Sequence, residues 1–293
     1  MLLDESDLLV PDSSLISRRT LLAGLAGTGA VLLVPWSAEA AIAVKGRIKE
    51  VYLAAGGKDV LGKAEAKEVK TRLHGHNTYG QVFKDGQVWW GSSVGKVDLP
   101  DSVRVRLDGA ENFRPVLGVR DVWRSNDLDD ATALDERIVR DLGIRTMIAF
   151  NSGSDPKIRS VENYKFHIVN SGDQLEFYRG YVAWPESCAA IGGALTLLAS
   201  TTEPVVIHCS AGKDRTGWLS ELLQRLAGVS RKVRDADFLA TETYTGGEID
   251  LAWLQAARDQ LSESYGDLDT YLTEGCLMST DTVAELRRRL APA

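Results

Sequence analysis

Cysteine and histidine are scarce in this sequence, with three and four residues among 293. Three cysteines, Cys188, Cys209 and Cys276, exclude a disulfide framework, because at most one pair can form within the chain and one thiol is left over. The four histidines fall into no cluster with metal-ligand spacing, so neither a metal site nor a cofactor is expected. No long Lys/Arg block is present, and 34 basic against 41 acidic residues leave a formal charge of −7. That balance offers no surplus to neutralise a nucleic-acid backbone. The apolar stretch from Leu21 to Trp36 is rich in glycine and alanine and falls short of the ~20 strongly apolar residues that a membrane span needs. No nucleotide-binding fingerprint appears. What is there, 44% hydrophobic and 26% charged residues, is the composition of a globular protein with one principal core.

The first forty residues read as an address. An acidic start with Asp4, Glu5, Asp7 and Asp12 runs into Ser17-Arg18-Arg19-Thr20-Leu21-Leu22, then the apolar stretch, then Ala38-Glu39-Ala40. These are the parts of an export signal. The paired arginines resemble the twin-arginine type, which implies export of an already folded protein to the periplasm, the cell envelope or the medium. Cleavage after Ala40 is the expectation, with an uncleaved anchor as the alternative. It removes two arginines and five acids and changes the formal charge from −7 to −4.

Residues 41–100 read as a small β-rich module. Turn formers are dense (Gly56-Gly57, Gly62, Gly75, Gly80, Gly91, Gly95), and Gln81-Val82-Phe83-Lys84 and Gln87-Val88-Trp89-Trp90 flank an Asp85-Gly86 pair, a strong hairpin signal. The spacing of Ala55-x-Gly57, Leu61-Gly62, Glu68, Phe83, Gly86, Trp89 or Trp90 and Gly95 resembles a single LGFP repeat. That resemblance implies cell-wall association in an actinobacterial envelope. The alternative is that Tyr79, Phe83, Trp89 and Trp90 form a mini-core against the main domain, since large aromatics bury most of their area where they can.

Residues 101–293 read as an α/β domain. Strands are expected over Ile144–Phe150 and Tyr164–Val169, a helix from about Tyr178 or Pro185 to Ala199, and a short buried strand over Pro204–His208 with proline at its first position. Then come His208-Cys209-Ser210-Ala211-Gly212-Lys213-Asp214-Arg215-Thr216-Gly217 and an amphipathic helix closed by Gly228. A tight loop between a strand and a helix N-terminus turns successive N–H groups toward one point, where the helix dipole adds positive character. Such a cradle holds an oxyanion, formed here by Ser210, Ala211, Gly212, Lys213, Asp214 and Arg215. The same field stabilises a thiolate, making Cys209 a nucleophile at neutral pH. Arg215, six residues on, can grip two phosphate oxygens through its planar fork.

This stretch resembles the His-Cys-x5-Arg-Thr/Ser-Gly signature of the cysteine-dependent protein tyrosine phosphatase superfamily, and its Ala-Gly-Lys-Asp-Arg-Thr-Gly wording resembles the PtpB-like branch of bacterial tyrosine and lipid phosphatases. Glu111-Asn112-Phe113-Arg114, Val122-Trp123-Arg124-Ser125 and Tyr265–Leu272 resemble further segments of that branch. Pro115 and Phe150-Asn151-Ser152 depart from it. The resemblance implies a three-layer α/β/α domain with a mostly parallel central sheet. It also implies in-line attack by Cys209, a cysteinyl-phosphate intermediate and release by water, with no cofactor. In the PtpB-like branch the loop aspartate, here Asp214, protonates the leaving oxygen. By its order in the chain, Asp173 in the Asn170–Asp173 turn competes for that role, as the mobile-loop acid of the wider superfamily. His208 is expected to orient the loop and Thr216 to assist departure of the sulfur. Lys213 either adds charge at the mouth or is a solvated surface lysine. The resemblance implies a phosphotyrosine protein as substrate, with a phosphoinositide or other small phosphate ester as the alternative. A reading from another class is a wall-associated protein that holds phosphate without turnover.

Overall fold

The computed structural model describes residues 41–54, 56–73, 76–84, 86–91, 107–153, 158–159, 161–169 and 171–291. The export signal, Ala55, Gly75, Asp85, Gly95, the boundary near residue 100 and Asn170 lie outside them.

The N-terminal part holds α1 (Gly46–Ala54), α2 (Gly57–Leu61) and an antiparallel sheet of β1 (Val69–Leu73), β2 (His76–Phe83) and β3 (Gly86–Gly91) in the order β1-β2-β3. The module is β-rich as read, with two helices beside its sheet that the sequence reading did not anticipate. Each is short, and in α1 only Ile48 and Val51 are buried, too few apolar positions to register as a period. The hairpin is as expected but one residue displaced. Phe83 pairs with Gly86, so Gly86 already belongs to β3. The Trp89 side chain lies outside the described residues, and the other aromatics serve the module's own interior. Phe83 and Val88 pack with Ile48, Val51 and Leu61, Tyr52 stacks on Phe83 at 4.6 Å, and Tyr79 stacks on Trp90 at 5.1 Å.

Successive strand residues face opposite ways, so the other side of the sheet presents Thr71, Thr78, Gly80 and Val82, with Gln87 opposite Val82. This side meets the rest of the chain. Ala66 and Val82 join Leu117, Val229, Val233, Ala236 and Ala240 in one apolar cluster, Thr71 Oγ1 accepts from the Gly118 amide at 2.7 Å, and the Asp121 amide donates to the Arg72 carbonyl at 2.8 Å. Gly80 is required there, because a Cβ would lie 2.2 Å from Leu117. Ala41–Ala293 accordingly forms one compact unit.

The main sheet contains β4 (Arg114–Pro115), β5 (Val122–Ser125), β6 (Thr146–Ala149), β7 (Glu162–Lys165) and β8 (Val205–His208), ordered β4-β5-β8-β6-β7. All but the antiparallel edge strand β4 run parallel. Pro115 is tolerated because β4 is at the edge. The helices in chain order are α3 (Ala133–Asp141), α4 (Gln174–Ala183), α5 (Pro185–Ser200), α6 (Asp214–Leu226), α7 (Arg231–Leu239), α8 (Thr241–Thr245), α9 (Leu251–Tyr265), α10 (Leu268–Thr270), which runs into a π turn over Tyr271–Gly275, and α11 (Thr280–Leu290). Alternation along β8 divides the core. Val205 and Ile207 pack with residues of α4, α5, α6, α9 and α11, while Val206 packs with Trp123, Met147 and Val139 of α3. The result is the expected three-layer α/β/α domain.

Of the two starts read for the helix ending near Ala199, Pro185 is the one observed: Trp184 separates α4 from α5, and Pro185 opens α5, where its missing N–H costs nothing. The strand expected over Tyr164–Val169 is β7, which begins at Glu162 and ends at Lys165. As an edge strand paired only with β6, it stays largely exposed, and Val169 beyond it is 50% exposed.

Leu117 is 1% exposed where the N-terminal sheet meets α7. Leu117→Ala is expected to cost about 2–5 kcal/mol in urea unfolding, through lost burial and the cavity left behind. A loss well below 1 kcal/mol would mean that the sheet is not part of the cooperative core.

Candidate active site

β8 is the middle strand, flanked by β5 and β6, and the chain leaves its C-terminal end into the Cys209–Lys213 loop and then α6. In a mostly parallel sheet, the crevice outside the strand C-termini is where ligands bind. The 13 residues of α6 begin at Asp214, so the amides of its first turn lack intrahelical partners and face the loop.

Gly212 fixes the loop's shape. Its φ is +63°, and a Cβ there would meet the Ser125 carbonyl oxygen at 2.3 Å. Its own carbonyl points to the buried side and accepts from Asn112 Nδ2 and from Arg124 Nη2, both at 2.8 Å. Asn112 reaches it from a left-handed backbone, φ 58°. The Asp127 amide donates to the Ser210 carbonyl at 3.2 Å. The loop is thus anchored from behind at two carbonyls.

A second layer of charge holds those anchors. Asp237, 1% exposed, faces Arg114 Nε at 3.5 Å and Arg124 Nη1 at 3.7 Å. Arg114 also donates to Asn112 Oδ1, to the Asp237 carbonyl and to Thr241 Oγ1. Burial first, then the like charge of Arg114, pushes Arg124 down to about 9, against the opposing pull of Asp237 and Cys209.

The expected site residues fall as follows. Cys209 follows β8 directly and is 2% exposed. Arg215 is half-buried in the first turn of α6. Its Nη1 donates to the carbonyls of Phe150 (2.9 Å) and Ile168 (3.4 Å), and Nη2 donates to Ser210 Oγ (3.4 Å). The departure at Phe150-Asn151-Ser152 is thereby accommodated, since it is the Phe150 carbonyl that holds the guanidinium. Asp214 Oδ1 accepts from Gln174 Nε2 and from Tyr178 Oη, each at 3.1 Å. Tyr178 is held well above the usual phenol range by burial and then by Asp214, so it remains a donor. Lys213 is not simply solvated. Its Nζ donates to the Glu248 carbonyl at 3.2 Å and sits over the Trp253 ring at 4.9 Å. Thr216 is fully buried, while Ser210 and Ala211 are exposed at the mouth.

Asp173 stands apart from this cluster. It is exposed, and its carboxylate caps α4 by accepting from the Glu176 amide at 2.8 Å. His208 is buried, and burial lowers its pKa to about 4, so the imidazole is neutral at ordinary pH. Sequence reasoning noted the Asn112–Arg114 and Arg124 segments but gave them no task, and it did not find Asp237, Gln174 or Tyr178. None of these three lies near Cys209 in the chain, so only the folded topology brings them there.

With this geometry in hand, the comparison with known proteins is direct. The model of a family described as "Tyrosine phosphatase family" matches residues 105–292. The chain belongs to the tyrosine phosphatase family. Among curated relatives it is similar to triple specificity protein phosphatase PtpB of Mycobacterium tuberculosis, with 28% identity over 144 residues, covering 38% of this chain and 51% of PtpB. The chain therefore spans about half the length of the curated relative it matches. Solved structures similar to it include the catalytic core of the PP-IP phosphatase Siw14 from S. cerevisiae, in complex with citrate (15% identity, TM-score 0.38, 57% of this chain and 98% of that one). Another is human DUSP28 (14% identity, TM-score 0.33, 52% and 94%).

For this family member, neutral buried His208 carries a pH signature. Its folded pKa lies below the unfolded one, so the unfolded chain takes up the proton first as pH falls through the window from the ordinary histidine value of 6.5 to about 4. Stability from this group is complete above that window and is lost on acidification. Urea unfolding of wild type and His208→Asn from pH 7 to pH 4.5 is expected to show a steeper acid loss in wild type, by up to about tenfold per pH unit in the folded-to-unfolded ratio. Parallel curves would place the loss at other groups.

Proposed function

We propose that this protein hydrolyses phosphoric monoesters through a cysteinyl-phosphate intermediate, with phosphotyrosine in a protein as its substrate. The observation that carries this is the meeting of Cys209 and a backbone-tethered Arg215 on one strand–loop–helix turn. Cys209 attacks phosphorus in line, breaking the bond to the ester oxygen. The loop amides and the Arg215 fork hold the three equatorial oxygens, which gain negative charge as the bond breaks. Water then cleaves the sulfur–phosphorus bond, giving up a proton to the Asp214 carboxylate left by the first step, releasing phosphate and restoring the thiolate; buried Thr216, one residue past Arg215, assists the sulfur's departure in this reading. His208, buried and neutral, orients the loop rather than moving protons.

Asp214 is the acid in this reading. Both hydrogen bonds from Gln174 and Tyr178 fall on Oδ1, which fixes the carboxyl plane and leaves Oδ2 to carry the proton to the leaving oxygen. The capping bond at Asp173 supports the same assignment, because moving that carboxyl would uncap α4. Charge beside the loop supports this substrate class. Asp127, whose amide donates to the Ser210 carbonyl, and Asp129 and Asp130 lie just beyond the C-terminal end of β5. Carboxylates so placed favour a single phosphate on a protein side chain over a polyphosphorylated headgroup, for which Lys213 is the supporting cation. Export through residues 1–40 and wall contact through the LGFP-like residues 41–100 complete the proposal. Cell fractionation and a pull-down on purified cell wall test them.

The test is phosphate release from p-nitrophenyl phosphate, a phosphotyrosine peptide and a short-chain phosphoinositide, by the chain from Ala41 with EDTA and reductant. Wild type is expected to turn over, with the peptide preferred, and Cys209→Ser to be silent. Asp214→Asn is expected to lose roughly 10²-fold or more on phosphotyrosine and much less on p-nitrophenyl phosphate, whose leaving group needs little protonation. Asp173→Asn should stay within about twofold of wild type, since it leaves the acid untouched. An inert wild type would put the phosphate-holding reading in its place, and a silent Asp173→Asn beside an active Asp214→Asn would move the acid to Asp173.

A further inference from the structure

Gln87 belongs to the N-terminal sheet, and its side chain is fully buried. Its Nε2 donates to Asp237 Oδ1 at 3.1 Å across 150 residues of sequence. Asp237 Oδ2 accepts from Gln224 Nε2 at 3.3 Å and faces Arg124 Nη1, and Arg124 Nη2 donates to the Gly212 carbonyl inside the phosphate loop. Each member of this chain, from Gln87 to Gly212, is buried. We propose that the N-terminal sheet is a working part of the active site and that Gln87 is a positioning residue, fixing the phosphate loop through Asp237 and Arg124.

The physical case rests on what each group is free to do. A carboxylate between two guanidinium groups has more than one favourable orientation, and rotating it shifts both arginines. Gln87 removes that freedom from one side and Gln224 from the other, one oxygen each. With Asp237 locked, Arg124 can place Nη2 on only one point, the Gly212 carbonyl. That carbonyl sets the orientation of the next peptide plane, and with it the direction of the Lys213 amide. A misplacement of 1 Å at such a site can cost on the order of 10²-fold in rate. Register protects the link as well. Gln87 faces Asp237 only while it pairs with Val82, and a slip of one residue would turn it to the opposite side of the sheet. This assigns a catalytic consequence to a segment outside the matched family region of residues 105–292.

The inference rests on the phosphatase reading above, and its test separates the two. Gln87→Met keeps the volume and removes the donor. Thr71→Val removes a bond from the same face of the same sheet to Gly118, outside the relay. Both variants are expected to lower Tm. Only Gln87→Met is expected to lower kcat on p-nitrophenyl phosphate, by about tenfold, and to weaken inhibition by inorganic phosphate by a similar factor. In Gln87→Glu the new carboxyl can donate to Asp237 only when protonated, so its kcat relative to wild type is expected to fall as pH rises. That profile carries the test even where Gln87→Met folds poorly. Wild-type kcat and phosphate inhibition in folded Gln87→Met, or a Gln87→Glu profile parallel to wild type, would overturn the proposal and leave the sheet a purely structural support. If wild type itself shows no turnover, the phosphatase reading is what fails. The Tm shift on adding inorganic phosphate then still reports whether Gln87 shapes the loop.

Discussion

The Gly212 carbonyl, held on the buried side of its loop by Asn112 and Arg124, is the constraint on which the rest of the site depends. A loop that binds an oxyanion must point its amides inward, so its carbonyls must find partners on the other side. Water could satisfy them, but water would also let the loop relax. Here the partners are a buried amide and a buried guanidinium. Burying two arginines beside one aspartate is expensive, several kcal/mol for each ion, and only good geometry and added hydrogen bonds offset it. Asp237, Thr241, Gln224 and Gln87 supply those bonds. Stability and loop geometry are consequently the same problem in this protein.

The fold places that network where the chemistry needs it. β8 carries its apolar residues to two cores and delivers Cys209 at the C-terminal edge of the sheet. The carbonyls just past the C-terminal ends of β6 and β7 hold the clamp arginine, and α4 holds Asp214 through Gln174 and Tyr178. The proposed nucleophile, clamp and acid thus come from one contiguous stretch, while groups from α4 and from beyond β6 and β7 orient the clamp and the acid. The N-terminal sheet adds its own link through Gln87, and its packing on Leu117 and Val229 keeps that link in register.

The contiguous part is what a reader of the sequence can see. Cys209 to Gly217 announces itself because the strand, loop and helix signals and the chemical groups fall within ten residues. The parallel sheet was legible for the same reason, since β6 and β8 are short apolar runs between helices. What was not legible is long-range. No local pattern ties Gln87 to Asp237 or Tyr178 to Asp214, and the choice between Asp214 and Asp173 had no local answer either. α1 and α2 escaped because nine and five residues give too little period to count. β7 was misplaced because an exposed edge strand lacks the apolar run that marks a central one.

The central claim is that Cys209 carries the phosphate covalently during turnover, and the most direct measurement looks for that bond. Wild type mixed with phosphotyrosine peptide, quenched in acid within the first turnovers and analysed by mass spectrometry, should yield the Cys209 peptide with a phosphate-sized mass increment that disappears as substrate is exhausted. Turnover without that modified peptide, or with the phosphate on any other residue, would contradict the account.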